Sequence, residues 1–241
     1  MADDHATHVT ELSGPTPLRA EIDAGLRQFL LNVYNYMGSG LVLTGLVAYG
    51  AAETGLYASL LQTPVLFWGV VLAPLALVLF WSFRIEKMSL GTAQASFWAY
   101  AALVGLSLAG LFLAYTGVSI ARTFFITSAT FLAMSLYGYT TRTDLSRFGS
   151  FLLMGLFGII IASLVNAFAA SSALQLAISV IGVIVFVGLT AYDTQRIKNI
   201  YLENDGSVIA GKKAVMGALT LYLDFLNLFI LLLQLTGNRR Q

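Results

Sequence analysis

The sequence predicts an all-α integral membrane protein, a bundle of seven transmembrane helices with the last helix at its centre. Three observations lead there. Hydrophobic residues make up 58% of the 241-residue chain, and its mean hydropathy is +0.80. Only 10% of the residues are charged, where soluble domains average about 25%, so a soluble globule of this size would lack its charged coat. Finally, seven unbroken apolar stretches each approach the roughly 20 residues a helix needs to cross a bilayer's hydrocarbon core. Barrel strands would instead alternate over about 10 residues.

Residues 1–27 hold no apolar run. They are polar, contain Pro15 and Pro17 and carry Asp3 and Asp4 near their start. A signal peptide would show a basic start and an apolar core, so this segment reads as a disordered cytoplasmic tail. His5 and His8 stand three apart and could touch a metal, but the composition favours a flexible tail. Residues 28–241 read as one transmembrane domain, with spans near 34–52, 65–83, 95–115, 122–139, 148–168, 173–193 and 214–235. Pro74 falls inside the second span and predicts a kink. Ala101, Gly105 and Ala109 form a small-residue face on the third, a pattern for close helix packing. Thr123, Thr127 and Thr130 on the fourth span and Asn166 on the fifth are expected to satisfy local backbone. Spans five and six are parted only by Ala169-Ala170-Ser171-Ser172, which predicts a tight hairpin. The longest loop, near 194–213, leaves no room for a second domain.

Basic residues set the topology. With the N-terminus in the cytoplasm, the inside holds Arg19, Arg27, Arg84, Lys87, Arg142, Arg147, Arg196, Lys198, Lys212 and Lys213, and the outside holds Arg122, Arg239 and Arg240. Seven spans then place the C-terminus outside. The Arg239-Arg240 pair dissents, and a re-entrant last segment is the alternative.

Composition also narrows the chemistry. A net charge of +1 gives no field for nucleic acid. The absence of cysteine removes disulfides, thiolate metal sites and cysteine nucleophiles. Both histidines lie in the first ten residues, so histidine catalysis within the apolar body is excluded. No enzymatic activity and no cofactor are expected. What remains is a set of carboxylates, arginines, amides and hydroxyls.

Charged residues inside spans are costly and point to function. Asp224 lies 11 residues beyond Lys213, about 16 Å along a helix and near mid-bilayer. Steps of four and three along the last span give Lys213, Gly217, Thr220, Asp224, Asn227, Leu231 and Gln234. Such a stripe cannot face lipid, which is why the last helix is placed centrally. The same walk on span six gives Gln175, Ser179, Gly182, Phe186, Leu189, Asp193 and Arg196. Asp193 has a plain reading as an i,i+3 partner of Arg196, worth a few tenths of a kcal/mol. Asp224 has no basic neighbour within a turn, and sharing a proton or cation with Asp193 would satisfy it. Depth opposes this, since Asp193 lies near the cytoplasmic edge; tilt or a helix offset must close the gap. Arg84 ends span two either as a snorkelling anchor or as a counter-ion to one aspartate. Glu86 reads as an interfacial partner of Lys87 or Lys198.

At these residues a resemblance emerges. Gly188-Leu189-Thr190-Ala191-Tyr192-Asp193-Thr194-Gln195-Arg196-Ile197 resembles the signature of the Bax inhibitor-1 family, also called the transmembrane Bax-inhibitor-motif family. Ser135-Leu136-Tyr137-Gly138-Tyr139-Thr140-Thr141 with Asp144-Leu145, Leu221-Tyr222-Leu223-Asp224-Phe225-Leu226-Asn227, and Arg84-Ile85-Glu86-Lys87-Met88-Ser89 are similar to further family segments. The short loops and tail resemble bacterial members, which implies an inner (plasma) membrane. The resemblance implies a seven-helix fold and a pH-sensitive calcium leak channel. In it Asp193 and Asp224 would be the proton sensor and gate, and Arg84 the latch of the closed state. Other relatives are described as modulators of a membrane-bound protease or of cell death.

Two carboxylates within about 4–6 Å repel when both are ionised and titrate as a unit. Protonated, the pair would clamp its two helices; ionised, it would repel or recruit Arg84 or Ca²⁺. Calcium takes 6–8 oxygens. Asp193 and Asp224, with Thr190, Thr220 and Asn227 as pore-lining support and Arg196 beside them, fall short without water. That suits a weak transit site for a permeant ion. The expected partners are therefore membrane lipids, Ca²⁺ and protons. One rival is an interaction protein that binds a membrane-bound protease or another integral protein, marked by a lipid-facing Ala101/Gly105/Ala109 stripe and a regulatory tail at 1–27. An intramembrane aspartyl protease is a remote rival, because Asp224 follows Leu221-Tyr222-Leu223 instead of Gly-x-Gly. A secondary transporter has only Pro64 and Pro74 in its favour.

Overall fold

The computed structural model describes residues 17–84 and 87–240. The tail residues 1–16, with His5 and His8, and the pair Ile85-Glu86 lie outside the described residues. Eight helices follow in order: α1 (Pro17–Glu53), α2 (Leu56–Leu61), α3 (Pro64–Arg84), α4 (Leu90–Ala114), α5 (Gly117–Thr140), α6 (Ser146–Ala169), α7 (Ser172–Asn199) and α8 (Ser207–Thr236). Six of them, α3 to α8, are long and apolar enough to cross a membrane. Their outer faces carry Val65, Phe125, Phe151, Met154, Ile161 and Ile184, all exposed, an apolar surface that belongs in lipid.

The first expected span is diluted by Tyr34, Asn35, Tyr36, Gly38, Ser39 and Gly40, which is why α1 is absent from the six. Two of its polar side chains, those of Tyr36 and Thr44, turn inward. Gln94 Nε2 donates to Tyr36 Oη at 2.5 Å, and Thr44 Oγ1 donates to Ala101 O at 2.9 Å. Helix α1 also begins at Pro17, inside the segment 1–27 read as tail. A proline fits a helix's first turn. The helix then continues because Phe29, Leu30 and Val33 bury themselves in the core.

Helix α8 packs against α1, α4, α5 and α7, so the last helix is central, as its polar stripe predicts. The small-residue face of α4 meets α1, where a Cβ on Gly105 would stand 2.6 Å from Thr44 O. In α3, Pro74 lacks the N–H that would bond Val70 O, and Ser107 Oγ of α4 donates to that carbonyl at 3.0 Å. The α6–α7 hairpin turns at Ala170, with φ 47°. Ser171 caps α7, accepting from Leu174 N. Asn166 Oδ1 accepts from Ser171 N at 3.0 Å.

Among the loops, Asp144 accepts from Ser146 N at 2.9 Å before α6, and this bond holds its carboxyl below the usual carboxylate range. Lys213 clamps the α7–α8 loop, reaching Ile200 O and the Asp205 carboxylate. Helix α8 runs unbroken to Thr236 and does not re-enter. Arg239 then pairs with Tyr115 in an isolated bridge, which fixes the C-terminal segment to the α4–α5 turn. That turn is at the opposite end of the bundle from the α7–α8 loop.

Candidate functional site

The two polar stripes read from the sequence face each other. Gln175 Nε2 donates to Gln234 Oε1 at 2.8 Å, and Ser179 Oγ donates to the same atom at 3.2 Å. A Cβ on Gly182 would meet Leu231 Cδ1 at 2.7 Å, and one on Gly217 would meet Ile197 Cγ2 at 3.1 Å. These contacts set the antiparallel register: 182 lies level with 231, and 197 with 217. On that scale Asp193 lies level with residue 220 or 221, about one helical turn from Asp224, or roughly 5 Å.

Side chains lean toward the N-terminus of their own helix. Since α7 and α8 run in opposite directions, Asp193 leans toward Asp224 and Asp224 toward Asp193. Their carboxyl groups are thereby brought close to one another. The depth gap expected from the sequence is thus one turn, closed by side-chain direction. Asp193 is not at its helix end, because α7 continues six residues further, to Asn199.

Both carboxyls are buried, at 7% and 5% exposure. Two carboxylates cannot donate to each other, and Asp224 Oδ2 is buried without a hydrogen-bond partner among the described residues. Arg196 stands 4.0 Å from Asp193, with its side chain 65% exposed, so the ion pair is solvent-screened and weak. On the described residues the pair is therefore short of a donor.

The supporting residues fall around it unevenly. Thr190 is fully buried and bonds its own helix at Phe186 O. Thr220 likewise bonds Met216 O, and Asn227 Nδ2 bonds Leu223 O. Arg84 is exposed at the end of α3, and α3 packs against α2 and α4. Its guanidinium makes no hydrogen bond or ion pair among the described residues, so the structure does not bring it to the aspartates.

A frame that sequence reasoning missed holds the Asp193 segment. Gln195 Nε2 donates to Thr143 O at 2.9 Å, while Leu145 N donates to Gln195 Oε1 at 2.8 Å. Lys198 Nζ donates to Tyr139 O at 2.8 Å and lies over the Tyr139 ring. Thr194 bonds Ser135 at 3.1 Å. A Cβ on Gly138 would stand 2.2 Å from Ala191 O, so α5 touches α7 backbone to backbone. On α8, the Tyr222 and Thr44 hydroxyls share a hydrogen bond of 2.6 Å, and Phe225 packs on Phe131 and Phe124 of α5. Thr127 and Thr130 bond their own backbone as expected; buried Thr123 Oγ1 has no partner among the described residues. The only sequence signal for the frame is the run of polar residues just past Asp193.

Comparison with known proteins supplies a separate line. The family described as "Inhibitor of apoptosis-promoting Bax1" matches residues 26–241. The chain is 50% identical over 220 residues to the inner membrane protein YbhL of Escherichia coli, covering 90% of this chain and 94% of that protein. An uncharacterised protein of Rickettsia prowazekii is also 50% identical, covering 90% and 92% of the two chains. An uncharacterised membrane protein of Streptococcus pyogenes is 37% identical, covering 90% and 95%.

Proposed function

The chain belongs to the Bax inhibitor-1 family, and on that premise we propose that it is a pH-gated cation leak channel of the inner membrane, with calcium as its permeant ion. One observation carries the reading: two buried carboxyls on antiparallel neighbouring helices lean into each other, and one of their oxygens has no donor. A proton shared between them supplies that donor and ties α7 to α8. Removing it leaves two like charges in a low-dielectric bundle, which repel. The same oxygens can then take a cation, but two carboxylates offer at most four of the 6–8 oxygens calcium prefers. Water, Thr190, Thr220 and Asn227 complete the shell only loosely, and weak binding is what conduction needs.

In this reading α1 provides the seventh span. Its 37 residues extend about 55 Å, and Val42, Leu46 and Tyr49 are exposed on one face. The N-terminus is cytoplasmic and the C-terminus outside, so Arg142, Arg147, Arg196, Lys198, Lys212 and Lys213 share the inner end. Arg84 sits at that end too and serves as a latch in a conformation where α3 swings toward Asp193. The rival interaction protein loses one of its expected marks, since Ala101, Gly105 and Ala109 are buried, with Gly105 against Thr44 and Val47 of α1. The test is calcium flux in liposomes: Asp193→Asn and Asp224→Asn should each remove its pH dependence, and retention in both overturns the reading.

A further inference from the structure

A cavity of about 540 Å³ lies between α6, α7 and α8, on the C-terminal side of Asp224. Its polar lining is Asn166, Gln175, Asn227 and Gln234, with Ser163, and the rest of its wall is apolar, including Ile159, Leu164, Ile178, Phe186 and Leu231. Three helices thus turn amides toward one space, Asn166, Gln175 and Gln234 from their terminal turns and Asn227 from deeper, beside Asp224. Part of this set is joined: Asn166 Nδ2 donates to Gln175 Oε1 at 3.1 Å, and Gln175 reaches Gln234. Part of it is not. Gln234 Nε2 and Asn227 Oδ1 have no partner among the described residues. A polar group left unsatisfied at the depth of Asn227 is expensive, and water in the cavity would satisfy it. Asn227 lies one turn beyond Asp224 on the same stripe.

We propose that this cavity is a water-filled crevice, open at the end where α8 terminates, through which hydrated cations reach Asp224. Its role as an ion path rests on the channel reading; its existence does not. The amides suit the task, because neutral carbonyl oxygens can replace part of a cation's hydration shell without trapping it. The route also differs in position from the Arg84 end: cations would pass along α6–α7–α8 from outside, meet the aspartates, and leave toward the α7–α8 loop.

The chain has no cysteine, so single cysteines can be read without background. Gln234→Cys, Gln175→Cys and Asn227→Cys would be placed in proteoliposomes beside Phe157→Cys, a control on the exposed apolar face of α6. Each is treated with a membrane-impermeant cationic methanethiosulfonate. The three crevice positions should react from one side only, each at least about tenfold faster than Phe157→Cys, because water and cations reach them. Modification of Asn227→Cys should also block most of the calcium flux. If Asn227→Cys reacts no faster than Phe157→Cys, a lipid chain fills the cavity and the crevice is refuted. If it reacts while flux stays at the unmodified level, the ion path is refuted. A wild-type protein without flux would sink the channel reading alone, and the labelling rates would still decide the crevice.

Discussion

Asparagine at either aspartate should lock the protein in its acid-like state. The amide has the carboxyl's shape and carries the N–H that a shared proton would otherwise supply. In Asp224→Asn the new amide can donate to Asp193, so α7 and α8 stay tied at every pH. Coulomb's law gives the order of the effect for two neighbouring carboxylates. Two unit charges about 4 Å apart at an effective dielectric near 20 repel by about 4 kcal/mol. At 1.4 kcal/mol per decade this biases opening by roughly three decades. Wild-type calcium flux into dye-loaded liposomes should rise with pH by up to that factor. Each single variant should stay near the acid level throughout. The double variant should match the singles, because the charges act as one unit. Helical circular dichroism and size-exclusion elution would confirm that each variant folds. A variant that keeps the wild-type pH profile, or a double variant whose effect is the sum of the singles, would refute the coupling.

Three further outcomes are expected. Arg84→Ala should raise basal leak at acid pH, where the closed state dominates; a leak equal to wild type reduces Arg84 to a headgroup anchor. Thr44→Val removes the donor to Ala101 O and the partner of the Tyr222 hydroxyl. It should destabilise the bundle by about 1–3 kcal/mol, read as a lower thermal midpoint in detergent, and an unchanged midpoint would show that water replaces the hydroxyl. Gly138→Ala forces a Cβ into Ala191 O, whereas Gly158→Ala meets nothing within 4 Å. The first should cost about 1–3 kcal/mol by overpacking and the second should be neutral or stabilising by up to about 1 kcal/mol; equal midpoints would contradict the α5–α7 contact.

The stripes were legible because a membrane makes polar residues conspicuous: seven positions on α7 and seven on α8 mark their shared face without any coordinates. The α6–α7 hairpin was equally plain, since two apolar runs parted by Ala169–Ser172 cannot be one span. Depth was not legible. Hydropathy ends span six at Asp193, where charges begin, but the helix continues through Arg196 and Lys198 because Gln195 bonds the α5–α6 loop and Lys198 bonds the last turn of α5. Those partners are distant in sequence and leave no periodic trace. The start of α1 was hidden for a related reason, as Arg27, Gln28 and Asn32 look like tail until Phe29, Leu30 and Val33 are seen packed in the core. The hydroxyl relay from Ala101 through Thr44 to Tyr222 joins three helices, and no local pattern announces it.

These contacts also decide which motion could part the aspartates. One core joins α1, α4 and α8 through Phe97, Tyr100, Ala218 and Tyr222, and α8 is further tied at its far end by Asn238 and Arg240 to the α4–α5 turn. A smaller core joins α7 to α8 through Ile178, Phe186, Leu189, Leu228 and Leu231. Toward α5 and the α5–α6 loop, α7 is held by the bonds of Gln195, Lys198 and Thr194 and by the Gly138 backbone contact. Repulsion between Asp193 and Asp224 acts across the α7–α8 seam, where the contacts beside the aspartates are apolar and can slide, while the directional bonds of Gln175 and Ser179 to Gln234 lie at the seam's far end. On the channel reading, the unit that would yield is α7 together with α6 and the end of α5 beyond Phe131, which itself packs on Phe225, moving away from an α8 fixed to α1 and α4. The face it would uncover bears Asp224 and Asn227 on one side and Asp193 and Thr190 on the other.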